Sequence, residues 1–365
     1  DTGAAARFRL LETIREYAAE RLAERGDEEA IRERHATYYA EMSSRPRPRF
    51  FSHEGEAWLD TIQAELGNLR AALEWSQSPE RQPRAWRMAA DLVWLWYRRG
   101  YLDEARRWCE RAVEQTARHE GTAERALALH SAGLVAMWQS DLPAARRLMD
   151  EGLAIYEHLD EPVERATALF GRGVLAVGQG QAKEAVRYLE EALDAFQGPG
   201  TDWFRAITIL HLGNAALERG DVDIALDLTR MAGMIWIRDW SLKWQEVEPE
   251  KGQFTFTETD YQINRPLEHG LRVLGLLPFP SANWSSSAPA SVGAADRYPA
   301  NRARVAYAPR DEPDFQAYVA KTVSHYRGRV RWWQVFNEPL FTSYSLPREH
   351  GYTGKDYARW TKAMG

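Results

Sequence analysis

The sequence predicts a mainly α chain with two textures: an array of α-hairpins over roughly residues 1–230, then a short parallel β/α segment reaching Gly365. Three observations predict it. Small residues recur every 40 positions through the first part, most plainly Ala105, Ala145, Ala185 and Ala225. The last third carries three short apolar runs separated by helical stretches. The repeat register stops after Arg230, with no Pro/Ser-rich join between the textures.

Two amphipathic stretches precede the repeats. Arg7-Phe-Arg-Leu-Leu-Glu-Thr-Ile-Arg-Glu-Tyr-Ala is the first, and Trp58 to Trp75 the second. Between them Ser43-Ser-Arg-Pro-Arg-Pro-Arg reads as a linker, because proline cannot continue a helix. The arginines of 45–49 read as a solvated loop. The four repeats are aligned by Tyr101-Leu-Asp-Glu-Ala105, Asp141-Leu-Pro-Ala-Ala145, Gln181-Ala-Lys-Glu-Ala185 and Asp221-Val-Asp-Ile-Ala225. Gly100, Ser140, Gly180 and Gly220 mark the turn of each unit. Gly133, Gly173 and Gly213 keep the same step, as do Ala136, Ala176 and Ala216. Each unit is a helix, a short turn and a second helix, with small residues where the paired helices approach.

In the last third the expected strands are Met234–Trp240, Leu271–Pro280 and Val330–Phe336, with helices at about 258–269 and 311–327. Such alternation argues for parallel β/α units. The break near 230 reads as a join between unrelated segments, since by analogy with the first repeat the last helix should run to about residue 236. The expected organisation is a helical capping region over 1–80, repeats over 81–230 and the β/α segment over 231–365.

Composition excludes several function classes. A formal charge of −6 gives no pull toward nucleic acid. The single cysteine, Cys109, rules out a disulfide framework and a cysteine-rich zinc site, and reads as a packed apolar residue. No apolar run reaches the roughly 18 residues of a membrane span. No signal peptide is visible, so a cytoplasmic location is expected, although an opening Asp1 says little about targeting. No phosphate loop, metal motif or recognition-helix module is found, and no cofactor is expected. Gly171-Arg-Gly173-Val-Leu-Ala176 matches a relaxed dinucleotide fingerprint, but its place inside a repeat helix makes packing the better reading.

The repeats resemble tetratricopeptide repeats in a longer form. Together with RLLETIREYAAERL and AELGNLRAALEW they resemble the region beside the NTPase module of bacterial signal-transduction ATPase, LuxR-type transcription regulators. That resemblance implies an α-hairpin superhelix whose groove takes a protein, a peptide or a small inducer. In the last third, WIRDWSLKWQEVEPEKGQFTF, GLRVLGLLPFPSANWSS and RGRVRWWQVFNEP resemble strands two to four of a clan A glycoside hydrolase, closest to family 39, on a (β/α)8 barrel. The resemblance implies a retaining mechanism with Glu338 as acid/base and Asn337 on the sugar 2-hydroxyl. It makes Arg238 and Trp284 substrate-side candidates, with Trp244 either a sugar platform or a core residue. Glu246, Glu248 and Glu250 read as solvated loop residues.

A retaining enzyme needs a second carboxylate about 5–5.5 Å from the first. In this clan it comes from a strand that would lie beyond Gly365, and strand one is also unmatched. The expectation is therefore a truncated, incomplete barrel segment, aggregation-prone or dependent on the repeats, and inactive alone. The alternatives are a hydrolase completed by another chain, with carbohydrate as ligand, and part of a transcription regulator, although no nucleic-acid binding is expected of this chain by itself.

Overall fold

A computed structural model describes residues 12–44, 53–197, 201–292, 304–340 and 345–363. The start of the first amphipathic stretch (7–11) and the linker positions 45–49 lie outside the described residues. The chain divides into two compact units, Asp1–Arg219 and Gly220–Gly365. The expected fold class holds: a helical-hairpin array and a small parallel sheet.

The first unit begins with α1 (Glu12–Arg25), α2 (Glu28–Ser43), α3 (His53–Ala64) and α4 (Leu66–Trp75). The Trp58–Trp75 stretch, continuous in the sequence pattern, breaks at Glu65. The Glu65 carboxylate accepts from Tyr39 Oη at 3.1 Å and Asn68 Nδ2 at 2.6 Å, which fixes the break. Three hairpins follow: α5 (Gln82–Arg99) with α6 (Leu102–Gln115), α7 (Ala123–Trp138) with α8 (Leu142–Tyr156), and α9 (Pro162–Gly178) with α10 (Ala182–Ala195). Helix α11 (Asp202–Glu218) closes the unit.

Two features of the 40-residue pattern acquire physical causes. The turn residues Gly100, Ser140 and Gly180 all adopt left-handed backbone, at φ 76°, 63° and 68°. This lets the next amide turn back: Tyr101 N–H donates to Trp96 O, Asp141 to Ala136 and Gln181 to Ala176, at 2.8–2.9 Å. The glycines serve the helix contact instead. A Cβ on Gly133 would lie 2.7 Å from Met149 Cγ, and one on Gly173 would lie 2.6 Å from Leu189 Cγ. Ala105, Ala145 and Ala185 are fully buried in the same seams. The dinucleotide-like string is thus helix interior, with Gly171 against His130 and Gly173 against Leu189. Cys109 is buried, and burial pushes its thiol pKa up to about 12, so it packs rather than reacts.

The second unit opens with α12 (Val222–Met231), which stops at the left-handed Gly233 and does not run to residue 236. The strands are β1 (Trp236–Arg238), β2 (Arg272–Leu277) and β3 (Trp332–Val335), parallel and in sequence order. The short α13 (Trp244–Val247) and α14 (Thr257–Glu268) lie between β1 and β2. Helix α15 (Glu312–His325) precedes β3, and α16 (Gly354–Lys362) follows it. One sheet face joins the core through Val273, Leu277, Trp333 and Val335, packed with Ile263, Phe315 and Tyr318. The other face presents Trp236, Arg238, Arg272, Trp332 and Gln334. Trp332 on that face is 45% exposed, so the sheet is open to solvent there.

Helix α12 is tied to the residues around α14 by charge. His269 Nδ1 lies 2.9 Å from Asp227 and Nε2 lies 3.1 Å from Asp223, while Arg265 also pairs with Asp223. The Asp227 and Asp223 hydrogen bonds raise the His269 pKa.

This packing and ion pairing generate three predictions. Ser140→Gly removes the cost of a left-handed non-glycine and should stabilise the first unit by about 0.5–1 kcal/mol. Gly173→Ala gains helix propensity but drives a methyl into Leu189, and should cost about 1–3 kcal/mol in denaturant unfolding. For His269 the folded pKa is raised, so its stabilisation is complete below the unfolded value and fades as pH rises through the folded one. His269→Gln should therefore lower the melting temperature at pH 6, with the gap to the parent narrowing as pH rises through the raised folded-state pKa.

Candidate functional sites

The carboxyl ends of the three strands bring together the residues expected to carry glycosidase chemistry. Parallel pairing sets β1 beside β2 and β2 beside β3, and places Arg238 on the same face as Gln334. Arg238 Nε donates to Gln334 Oε1 at 2.8 Å and its Nη2 donates to Asn337 Oδ1 at 2.8 Å. The Asn337 amide donates to Pro278 O at 3.1 Å, so the residue is held from two strands. Asn337 is buried and Glu338 is exposed. The loop leaving β3 adopts left-handed backbone at Phe336 (φ 55°), Glu338 (φ 45°) and Leu340 (φ 65°). Non-glycine residues pay for that conformation, and it persists here because Phe336 is buried in the core and its amide donates to Leu277 O at 2.8 Å.

Trp284 is half-buried. It meets Trp244 edge-on at 5.6 Å, and its Nε1 donates to Glu248 O at 2.9 Å. Trp244 is fully buried and stacked on Tyr318 at 4.9 Å, which makes it a core residue and removes it as a sugar platform. The loop glutamates need one correction. Glu246 and Glu250 are exposed, but Glu248 is buried. It accepts from Trp244 Nε1 and from the Gly252 amide, both at 2.7 Å, so it fastens the Val-Glu-Pro-Glu-Lys-Gly turn to the core.

Sequence reasoning also missed Asp239, at the end of β1. Burial raises its pKa, against the pull of hydrogen bonds from Ser241 Oγ at 2.7 Å and the Ser241 amide at 3.1 Å. Its place directly after Arg238, at a strand's carboxyl end, was the available signal.

A second candidate site lies wholly within the first unit. Helices α5, α7, α9 and α11 line a cavity of about 470 Å³. Its walls follow the repeat: Leu127, Thr167 and Ile207 share one register position, and Ser131, Gly171 and His211 another. Trp94, Leu134 and Val174 form a third row. Tyr97 stacks on Trp138 at 4.2 Å at one end, and Phe170 meets His211 edge-on at 5.7 Å toward the other. Sequence reading predicted a groove but not these residues. The signal was the 40-residue spacing on the first helix of each hairpin, hidden because the side chains at equivalent positions differ.

Comparison with known proteins gives the same two parts. Residues 124–198 match the tetratricopeptide repeat family. Residues 222–365 match glycosyl hydrolase family 10, whereas the strand wording pointed closest to family 39. That match begins within α12, so the helix falls with the β/α unit although Ala225 keeps the repeat spacing. Among curated relatives, HTH-type transcriptional regulators of Mycobacterium tuberculosis and Mycobacterium bovis are 32% identical over 141 residues. The alignment covers 38% of this chain and 16% of theirs. Endo-1,4-beta-xylanase A of Phanerodontia chrysosporium is 30% identical over 115 residues, covering 32% of this chain and 25% of the xylanase. The chain thus spans a quarter or less of the length of these relatives. Among solved structures, BtubC (BKLC) from P. vanneervenii aligns with a TM-score of 0.41 and 17% identity, over 55% of this chain and 89% of that one.

The clamp on Asn337 is open to a direct check. A hydrogen bond from a charged donor contributes about 1.5–3 kcal/mol, so Arg238→Ala should speed amide hydrogen exchange in the Phe336–Leu340 segment by about ten- to a hundredfold while leaving α15 unchanged.

Proposed function

We propose that the hairpin array is the working part of this chain, a recognition scaffold that binds its partner on the face lined by α5, α7, α9 and α11, and that the β/α unit joined to it does not hydrolyse glycosides by itself. The cavity is the observation that carries this reading. It brings one face of four successive repeat helices onto a shared apolar surface, the kind of concave site on which repeat proteins take their ligands. The regulator relatives favour a sensing role, with a peptide or a small inducer as the partner. A cytoplasmic location belongs to the same reading. Among the described residues no helix is long and apolar enough to cross a membrane.

The inactivity of the second unit is argued from chemistry. A leaving glycosidic oxygen must be protonated by a carboxylic acid whose pKa is raised in a water-poor cleft. Glu338 is instead exposed, on a sheet whose outer strands each have one neighbour among the described residues. Asn337 and Arg238, hydrogen-bonded to each other, would contact a carbohydrate ligand in this reading, but contact alone does not split the bond. A second reading keeps the hydrolase: the family 10 match and the Asn337-Glu338-Pro339 turn at the end of β3 fit an acid/base awaiting a complementary chain.

The two readings separate in one assay. On aryl β-xylosides and xylan, the purified chain and its Glu338→Gln variant should both give the buffer rate. Turnover lost by about a hundredfold or more in Glu338→Gln, the size of a general-acid contribution, would establish the hydrolase instead.

A further inference from the structure

The walls of the first unit's cavity specify the chemistry of what they can hold. Among the described residues no Asp, Glu, Lys or Arg lines it. An ion entering would lose its water and meet no counter-charge, so the ligand is uncharged. The ends of the space are aromatic: Trp94 and Tyr97 pack around Trp138 at 5.3 and 4.2 Å, and Trp203 packs on Phe204 at 5.1 Å. Such walls favour a flat ring system, offered stacking or edge contacts on either side.

Apart from the Tyr97 hydroxyl and the indole N–H groups of the aromatic ends, the polar side chains on the walls are few: His130, Ser131, Thr167 and His211. The Thr167 hydroxyl already donates to Val163 O at 2.8 Å within its own helix. A sugar, with a hydroxyl on almost every carbon, would leave most of its hydrogen bonds unmade here. Of these side chains, His211 meets the Phe170 ring edge-on at 5.7 Å. Burial lowers its pKa, which keeps the ring neutral. Its Nδ1 is shielded from water and has no hydrogen-bond partner. A shielded lone pair is tolerated better than a shielded N–H, which leaves the proton on Nε2 as a donor.

We infer that this cavity binds an uncharged, flat aromatic small molecule bearing an oxygen acceptor, held between the aromatic walls and hydrogen-bonded by His211. The volume of about 470 Å³ suits a compound of two or three rings and lies within the range of small-molecule sites. The inference rests on the reading of this face as the recognition surface, and narrows it from a partner of any kind to one chemical class.

The test uses the full chain and 2-naphthol, followed by tryptophan fluorescence and calorimetry. Naphthalene, 2-naphthalenesulfonate, xylotriose and a helical amphipathic peptide serve as comparison probes. The parent should bind one 2-naphthol per chain, naphthalene about tenfold more weakly, and the sulfonate and xylotriose without saturation. Val174→Trp and Ile207→Trp, each filling the space from a half-buried position, should weaken naphthol at least tenfold with an unchanged far-UV spectrum and melting temperature. His211→Phe should retain naphthalene and lose the preference for naphthol. Failure of naphthol to saturate, equal binding of the sulfonate, or naphthol binding untouched by both filling variants would overturn the inference. If xylotriose or the peptide then saturates the parent but not the filled variants, the ligand class is wrong and the recognition surface stands. If filling affects no probe, both fall.

Discussion

The hairpin array depends on backbone-to-backbone approach at positions too tight for a side chain. Gly133 faces Met149 and Gly173 faces Leu189 at distances that no Cβ could share, and Ala105, Ala145 and Ala185 fill the remaining seams. These contacts fix the angle and spacing within each hairpin. Because they recur every 40 residues, each hairpin presents the next with the same surface, and the first helices line up along one side. The cavity is a consequence of that alignment. Its wall residues differ in kind from repeat to repeat, so the scaffold can be uniform while its pocket is specific. Arg172 adds a polar tie inside the packing. Fully buried on α9, it donates to Asp150 at 2.6 Å and Glu184 at 3.0 Å, linking α8 and α10 across their shared neighbour. Removing both carboxylates would leave the buried guanidinium without a counter-charge, a loss larger than that of a surface pair.

A different constraint shapes the β/α unit. Parallel strands in sequence order bring their carboxyl ends to one edge, so residues about 100 positions apart in the chain, Arg238 and Asn337, become hydrogen-bonding neighbours. The guanidinium satisfies two side-chain carbonyls at once and holds the amide of Asn337 in one orientation. The next residue turns outward through a left-handed conformation, and its carboxylate is exposed.

The hairpins were legible because their constraint is written in small residues, which tolerate few substitutes. Strands and helices of the second unit were legible within a few residues, since β2 and β3 are runs of large apolar side chains bounded by Gly270 and by Pro278 or Asn337. What stayed hidden depends on distant neighbours. Glu248 reads as a loop carboxylate in a Pro-Glu-Lys-Gly context, and only the fold shows Trp244 and Gly252 donating to it. Trp244 reads as a platform or a core residue equally well, until Tyr318, 74 positions away, stacks on it. The helix break at Glu65 is set by Tyr39, from a different helix. The cavity was hidden for the opposite reason: its periodicity is perfect in position and absent in residue type.

Both candidate sites turn on how burial is distributed. Acid catalysis and recognition of a neutral ligand each require polar groups withdrawn from water, but with opposite protonation behaviour. A catalytic carboxyl gains from desolvation because its neutral, proton-bearing form is favoured, whereas a histidine gains a fixed hydrogen-bonding pattern by losing its charge. In this chain burial acts in both directions: it lowers the pKa of His211, half-buried between aromatic walls, and raises that of Asp239 at the end of β1. Among the described residues of the second unit the most buried carboxyls are Asp239 and Glu248: Glu248 accepts from the Gly252 amide, and Asp239 Oδ1 accepts from the Ser241 amide while its buried Oδ2 has no hydrogen-bond partner.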